Sequence, residues 1–361
     1  MAFRALCLGD APGLAEALAA TRQLGGILAG LPRDPLGAAR QVAAAESPLV
    51  LAEALALACA LGCWLAYLAT RNCSHVDRMW SVLPPIYVAI FARRDLAAAA
   101  AALAAGAREA AAAGAGPRAA ASLLAARLGG SGADPRLLLA AGLSAAWGCR
   151  LTYNFARRGG YRLSFEDHRW ADVRKLFSPA LFEVFSLVFV ACAQHLLCLL
   201  ITAPALVAAT APRQPLGPGG WAAASAFAAL LAGEAAADNQ QWAFQRRKHQ
   251  LLAARAPRTG DYRRGFRTTG LFRFSRHPNF FCEYGMWWAM YVLCAALPSH
   301  CGLSWAAVGP VGLTLLFHGG SLWITEKISA AKYPAYRRYQ RTTSAIVPLW
   351  PGPALEDERG D

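Results

Sequence analysis

The residues with the clearest chemical content lie in one stretch, Gly265 to Trp288. There a basic approach segment runs through Arg273, Arg276 and His277 into Pro278-Asn279 and then an aromatic, apolar run. Proline has no N–H to leave unpaired and its backbone angle suits a first turn, so Pro278 predicts the opening residue of a helix. The unpaired N–H groups of such a turn favour an anion. Arg273 and Arg276 stand immediately upstream, and Asn279 and Glu283, four apart, share one helical face. The pattern suits a polar, phosphate-competent mouth on a membrane helix, and a nucleotide fits it better than a plain lipid. The alternative is that these arginines only anchor the helix at the headgroups.

Three other stretches carry polar groups at helical spacing. Arg150, Tyr153, Asn154 and Arg157 fall at i, i+3, i+4 and i+7. That face is too polar for lipid, so it pairs within a bundle or lines a cavity, where the Tyr153 hydroxyl suits proton donation or a hydrogen bond to a carbonyl. Snorkelling arginines beside a belt tyrosine are the plainer reading. Glu234, Asp238, Gln241 and Gln245 form a second stripe, whose carboxylates and amides suit ribose hydroxyls or an adenine edge. The third, Lys332-Tyr333-Pro334-Ala335-Tyr336-Arg337-Arg338-Tyr339, interleaves cations with aromatic rings, which can lie on a membrane surface or close over a nucleotide.

The elements that must position these groups are set by composition. Of 361 residues 56% are hydrophobic and 16% charged, with mean hydropathy +0.30, which predicts an all-α, polytopic membrane bundle. About seven apolar runs approach the ~20 residues that cross a bilayer. They are Leu49 to Thr70, Trp80 to Ala92, Leu137 to Phe155, Leu181 to Ala209, Trp221 to Ala237, Phe280 to Leu297 and Leu303 to Ile324. The second is short and holds Pro84-Pro85, so it is kinked, re-entrant or extended by the alanine-rich stretch beyond it. Net charge is +14, and the cations concentrate in residues 157–180, 239–279 and 327–361, which the positive-inside rule places in the cytoplasm. Because the cations flank apolar runs and no zinc finger or helix-turn-helix pattern occurs, nucleic acid is not the expected partner. Ten scattered cysteines without a C-x-x-C pair support neither a disulfide framework nor a metal site. The mid-run His195 reads as interhelical glue.

These features predict a poorly defined leader over residues 1–47 and a membrane domain over 48–350. An alanine-rich insertion at 95–133 interrupts that domain, and 351–361 are expected to form a disordered tail.

From about Trp147 to Trp350 the sequence resembles the membrane family grouped with steroid 5-alpha-reductase C-terminal-like proteins. The resemblance rests on Arg150-Leu151-Thr152-Tyr153-Asn154 with Arg157 to Tyr161, on Asp238-Asn239-Gln240-Gln241-Trp242, on Gly270 to Phe281, and on Lys332 to Tyr336; His75 to Ser81 also fits. It implies a helical bundle that binds NADPH from the cytoplasmic side, with endoplasmic reticulum as the family-like location. The implied reaction reduces a carbon–carbon double bond conjugated to a carbonyl in a steroid or related lipid. Carried over by position, the cofactor contacts are Asp238, Asn279, Glu283, and Tyr333 with Arg337; Gln241 joins them from the stripe it shares with Asp238, Arg273, Arg276 and His277 join as phosphate partners on physical grounds, and Tyr153 is the expected carbonyl polariser. A Gln-Glu pair found near the substrate in steroid reductases has no clear counterpart here. The Arg-His-Pro block and Glu326 also look like S-adenosylmethionine-dependent isoprenylcysteine and phospholipid methyltransferases. A non-catalytic sterol-binding protein on the same fold is the other alternative.

Overall fold

Proline opens most of the long helices, as its missing donor and fixed φ favour. In the computed structural model, which describes residues 13–295 and 304–355, Pro48, Pro117, Pro135, Pro179, Pro218 and Pro278 each stand first in a helix. All regular structure among the described residues is helical.

Four helices are long and apolar enough to cross a membrane: Pro48–Thr70, Pro179–Leu200, Pro218–Ala253 and Trp305–Lys332. At most 39% of the most apolar window in any of them is buried within the protein. Apolar surface on that scale, left uncovered by the chain itself, suits a lipid environment.

Of the seven expected spans, four coincide with helices that meet both criteria among the described residues. Leu83–Phe91 has only nine residues, or about 14 Å of helix against a hydrocarbon core of about 30 Å. A fresh helix, Arg93–Ala112, follows Ala92. Pro135–Arg157 has 23 residues but bears Arg136, Arg150 and Arg157, and Arg136 is buried in an ion pair with the N-cap Asp134 at 2.6 Å. Pro278–Cys294 has 17 residues, and the end of the sixth predicted run, Leu297, lies outside the described residues. The fourth and seventh runs each contain a π-helical turn, Ser186–Ala193 and Leu316–Ser321.

Two low-complexity regions are better ordered than their composition suggests. Of the predicted leader, Leu14–Gly30 and Pro35–Ala44 are helices, the first burying Ala20, Leu24 and Ile27. The alanine-rich region folds as a helical hairpin of Arg93–Ala112 and Pro117–Gly129, turned at Gly114 (φ 60°) and tied by Arg127 to Glu109 at 2.7 Å. Residues 356–361 of the predicted tail lie outside the described residues. His195 corrects its expected role, since Nδ1 turns to the Ala191 carbonyl of its own helix at 2.7 Å while Nε2 is buried with no partner among the described residues.

The chain divides into two compact units. The second comprises Asp167–Ser178, Ser225–Trp288 and the residues from Pro310 onward, and it contains every candidate site residue except Tyr153.

Candidate functional site

In the second unit, the segment before Pro278 is zipped to the C-terminal chain. Arg276 N–H donates to Ser344 O at 2.9 Å, His277 N–H to Ala345 O at 3.1 Å and Leu349 N–H to Phe274 O at 3.1 Å. The Ser275 hydroxyl donates to Ile346 O at 2.6 Å and accepts from His277 N–H at 3.1 Å. This fixed backbone aims the Arg276 and His277 side chains at one carboxylate, Glu326 of the Trp305–Lys332 helix.

Glu326 accepts from four side chains. Arg276 grips it through two guanidinium nitrogens, at 3.0 and 2.7 Å, in the fork geometry that makes such pairs strong. His277 Nε2 lies 2.8 Å from Oε1, and because a carboxylate only accepts, that nitrogen carries the proton. The Tyr336 hydroxyl and the Gln340 amide each donate at 2.7 Å. Arg276 also donates to the carbonyls of Gln340 and Thr343. Burial, with the Glu326 carboxylate beside it, pushes the Tyr336 phenol well above its ordinary range, which keeps it a donor at any physiological pH. Arg276 and Glu326 side chains are 9% and 11% exposed, so the pair is largely shielded from water.

A second knot fixes the loop that leads into this block. Asp261 accepts from Thr268 N–H at 2.9 Å, Thr268 Oγ1 at 2.6 Å, Thr269 Oγ1 at 3.2 Å and Arg264 at 3.0 Å. Burial alone would raise the Asp261 carboxyl, but the bonds from Thr268 and Arg264 outweigh it and hold the group below its usual range. A depressed folded pKa contributes stability that is complete above the unfolded value, about 3.9, and is lost as pH falls through that value toward the folded one. Thermal unfolding of wild type and Asp261→Asn across this acid range is the measurement. The wild-type midpoint should fall more steeply than that of the variant, and parallel curves would refute the assignment.

Beside the Glu326 cluster opens a cleft of about 530 Å³ lined by Arg276, His318, Leu322, Trp323, Glu326, Lys327, Ala330, Arg337 and Gln340. Lys327 lies over the Trp323 ring at 4.9 Å, and the indole is 49% exposed. Arg337 is exposed. His318 comes from the π-helical turn, with its ring tilted against Tyr284 at 5.7 Å. Such turns displace side chains from the α-helical register.

Of the residues singled out from sequence, Arg276 and Arg337 line this cleft and His277 is tied to its edge through Glu326. Two expectations are corrected here. Arg276 and His277 are not free phosphate partners, because Glu326 engages both. The amides expected to attract an anion at Pro278 are mostly taken as well: Phe280 and Phe281 N–H turn back to His277 O, and His277 N–H is capped by Ala345 O and Ser275 Oγ.

The remaining candidates stand outside the cleft lining. Glu283 is buried and accepts from the Trp287 indole at 3.1 Å; Asn279 is half-buried and Arg273 exposed. Asp238 and Gln241 sit on Pro218–Ala253, where the Gln241 side-chain Oε1 is buried with no partner among the described residues. Its neighbour Gln240 is the residue that holds the loop, accepting from Leu271 N–H at 3.0 Å against Gly270, whose φ of 67° and close approach leave no room for a side chain. Tyr333 packs on Phe266 and takes a bond from the buried Lys248 at 3.2 Å. Tyr153 belongs to the other unit, where it is 65% exposed with Arg157 over its ring at 5.3 Å.

The structure adds Tyr336, Gln340, Lys327, Trp323 and His318 to the site, and makes Glu326 its hub. One signal for Glu326 was present in the sequence, an acid directly after the last apolar run, since a buried arginine needs such a partner.

Residues 110–343, which contain this whole cluster, match the family model described as "Protein of unknown function (DUF1295)". The chain is also similar to the uncharacterized protein C594.04c of Schizosaccharomyces pombe, 32% identical over 296 residues that cover 80% of this chain and 76% of that protein. No solved structure matches the chain.

Proposed function

The chain belongs to the DUF1295 family, and on that premise we infer that it is a membrane-embedded, NADPH-dependent reductase of a conjugated carbon–carbon double bond in a steroid or other lipid enone. The observation that carries this reading is the charge of the cleft, which sets Arg276, Lys327 and Arg337 against the single carboxylate of Glu326 beside an exposed indole. Since Glu326 neutralises Arg276, Lys327 and Arg337 are the cations left to hold phosphates, and Trp323 offers a flat face to a base. When bound, NADPH supplies the hydride. Asp238, Gln241, Asn279, Glu283 and Tyr333 belong to the same unit and complete the proposed binding set. Endoplasmic reticulum membrane, with the site facing the cytoplasm, belongs to the same proposal.

The cleft's charge also weighs against the methyltransferase alternative. S-adenosylmethionine carries a cationic sulfonium and no phosphate, so an excess of positive charge disfavours it where it favours a dinucleotide. Melting of the detergent-solubilised protein separates the two. Ligand at a hundredfold excess over Kd stabilises the native state by about 2.7 kcal/mol. NADPH should therefore raise the melting temperature by several degrees, and S-adenosylmethionine should leave it unchanged. The reverse result would transfer the site to methyl transfer.

A further inference from the structure

The 36-residue helix Pro218–Ala253 is about 54 Å long, well beyond the hydrocarbon core, and its far end is basic. Residues 239–260 contain no acid. Lys248 of this stretch turns inward to the Gly265 carbonyl at 2.9 Å. Arg246, Arg247, Arg255 and Arg258 instead are exposed and carry no partner among the described residues.

Arg255 is the informative one. The helix ends in a Schellman turn, with Ala256 N–H to Leu251 O at 3.0 Å and Arg255 N–H to Leu252 O at 3.2 Å. That turn demands a left-handed residue where glycine is the usual occupant, yet Arg255 holds it at φ 50°. Among the described residues one other non-glycine has positive φ, Arg71, and its guanidinium is engaged by Glu183 at 2.6 Å. Among the described residues the Arg255 guanidinium has no such partner, which leaves its charge at a left-handed position open to a group outside the chain.

We propose that the basic end of this helix, Arg246, Arg247, Arg255 and Arg258, is a docking surface for the anionic phospholipid headgroups of the bilayer in which the same helix is embedded. Arg246 lies four residues, about 6 Å, past Trp242, a residue type that settles at the headgroup level. The helix runs on from Arg246 to Ala253, and Leu252, three residues before Arg255, is 46% exposed, giving the surface an apolar contact as well. Clusters of four or more cations immediately beyond a spanning helix bind acidic lipid at about 1 kcal/mol per charge. This inference does not depend on the reductase reading.

The test is hydrogen exchange of backbone amides 245–258 in the full chain reconstituted in nanodiscs of phosphatidylcholine, or of phosphatidylcholine with phosphatidylserine. Exchange should slow by about fivefold or more in the acidic discs at low salt, and the effect should fade at high salt. Arg255→Gly should keep or raise the melting temperature, since it relieves the left-handed strain, while reducing the protection; the fourfold variant with Arg246→Gln, Arg247→Gln and Arg258→Gln added should abolish it. Equal exchange in the two discs, or protection that survives the fourfold variant, overturns the proposal. Protection by added NADPH in phosphatidylcholine discs, with none from phosphatidylserine, would assign these arginines to the cofactor instead.

Discussion

Glu326→Ala should cost about 3–5 kcal/mol of stability, the penalty for breaking a buried ion pair by removing one partner. The large value reflects the groups it would strand. Arg276 would keep its charge in a shielded site with only the Gln340 and Thr343 carbonyls as acceptors, while His277, Tyr336 and Gln340 each lose their acceptor. Glu326→Gln preserves an acceptor but leaves the guanidinium uncompensated, so it should fall between wild type and alanine. Removing both charges differs in kind, because a buried pair is costly to desolvate. Arg276→Met combined with Glu326→Leu should therefore recover much of what Glu326→Ala loses. Denaturant unfolding in detergent, followed by the near-ultraviolet signal of the aromatic cluster around Tyr336 and Tyr339, measures all four proteins. A loss below about 0.5 kcal/mol for Glu326→Ala, typical of a surface change, would mean that the cluster does not hold this unit together.

The all-helical class and the longest apolar runs were legible because both depend on local composition. Pro48, Pro218 and Pro278 open their helices where the missing donor places them. Four of the seven expected spans coincide with helices that are both long and apolar enough to cross a membrane, whereas Leu83–Phe91 is short and Pro135–Arg157 carries polar and basic groups along its length. The alanine-rich hairpin was legible as a segment but not as a fold, because its fixing contacts, Arg127 to Glu109 and Asp95 to the Asp134 amide, are specific pairs rather than apolar surface.

The site was legible as a stretch and not as a partnership. Arg276 and His277 stood out by type, but their acceptor lies fifty residues away on another helix. Charge counting assigns such groups to a ligand whenever the tertiary partner is unknown. Gln240 illustrates the limit of periodicity in the same way: the helical stripe selected Gln241, while the loop selected the residue beside it.

Reversing the two cations that the protein itself leaves available, with Lys327→Glu and Arg337→Glu together, should weaken NADPH binding about a hundredfold, or roughly 2.7 kcal/mol. Each change replaces an attraction by a repulsion at a few ångströms; in the partly solvated dielectric of a cleft that is worth on the order of 1–2 kcal/mol per site. Both side chains are exposed, and neither supports the Glu326 cluster, so the melting temperature without ligand should barely move. This separates the cleft's binding role from its structural one: Glu326→Ala destabilises the unit, whereas the double reversal spares stability and removes affinity. Ionic strength gives an independent readout, because exposed charge pairs are screened over about 10 Å at 0.1 M salt, so wild-type affinity should fall as salt rises while the residual affinity of the reversed protein should not. S-Adenosylmethionine should respond with the opposite sign, gaining affinity as the cleft turns acidic. Fluorescence titration of NADPH, with competition by each ligand, distinguishes these outcomes, and undiminished NADPH affinity in the double variant would remove the cleft from cofactor binding.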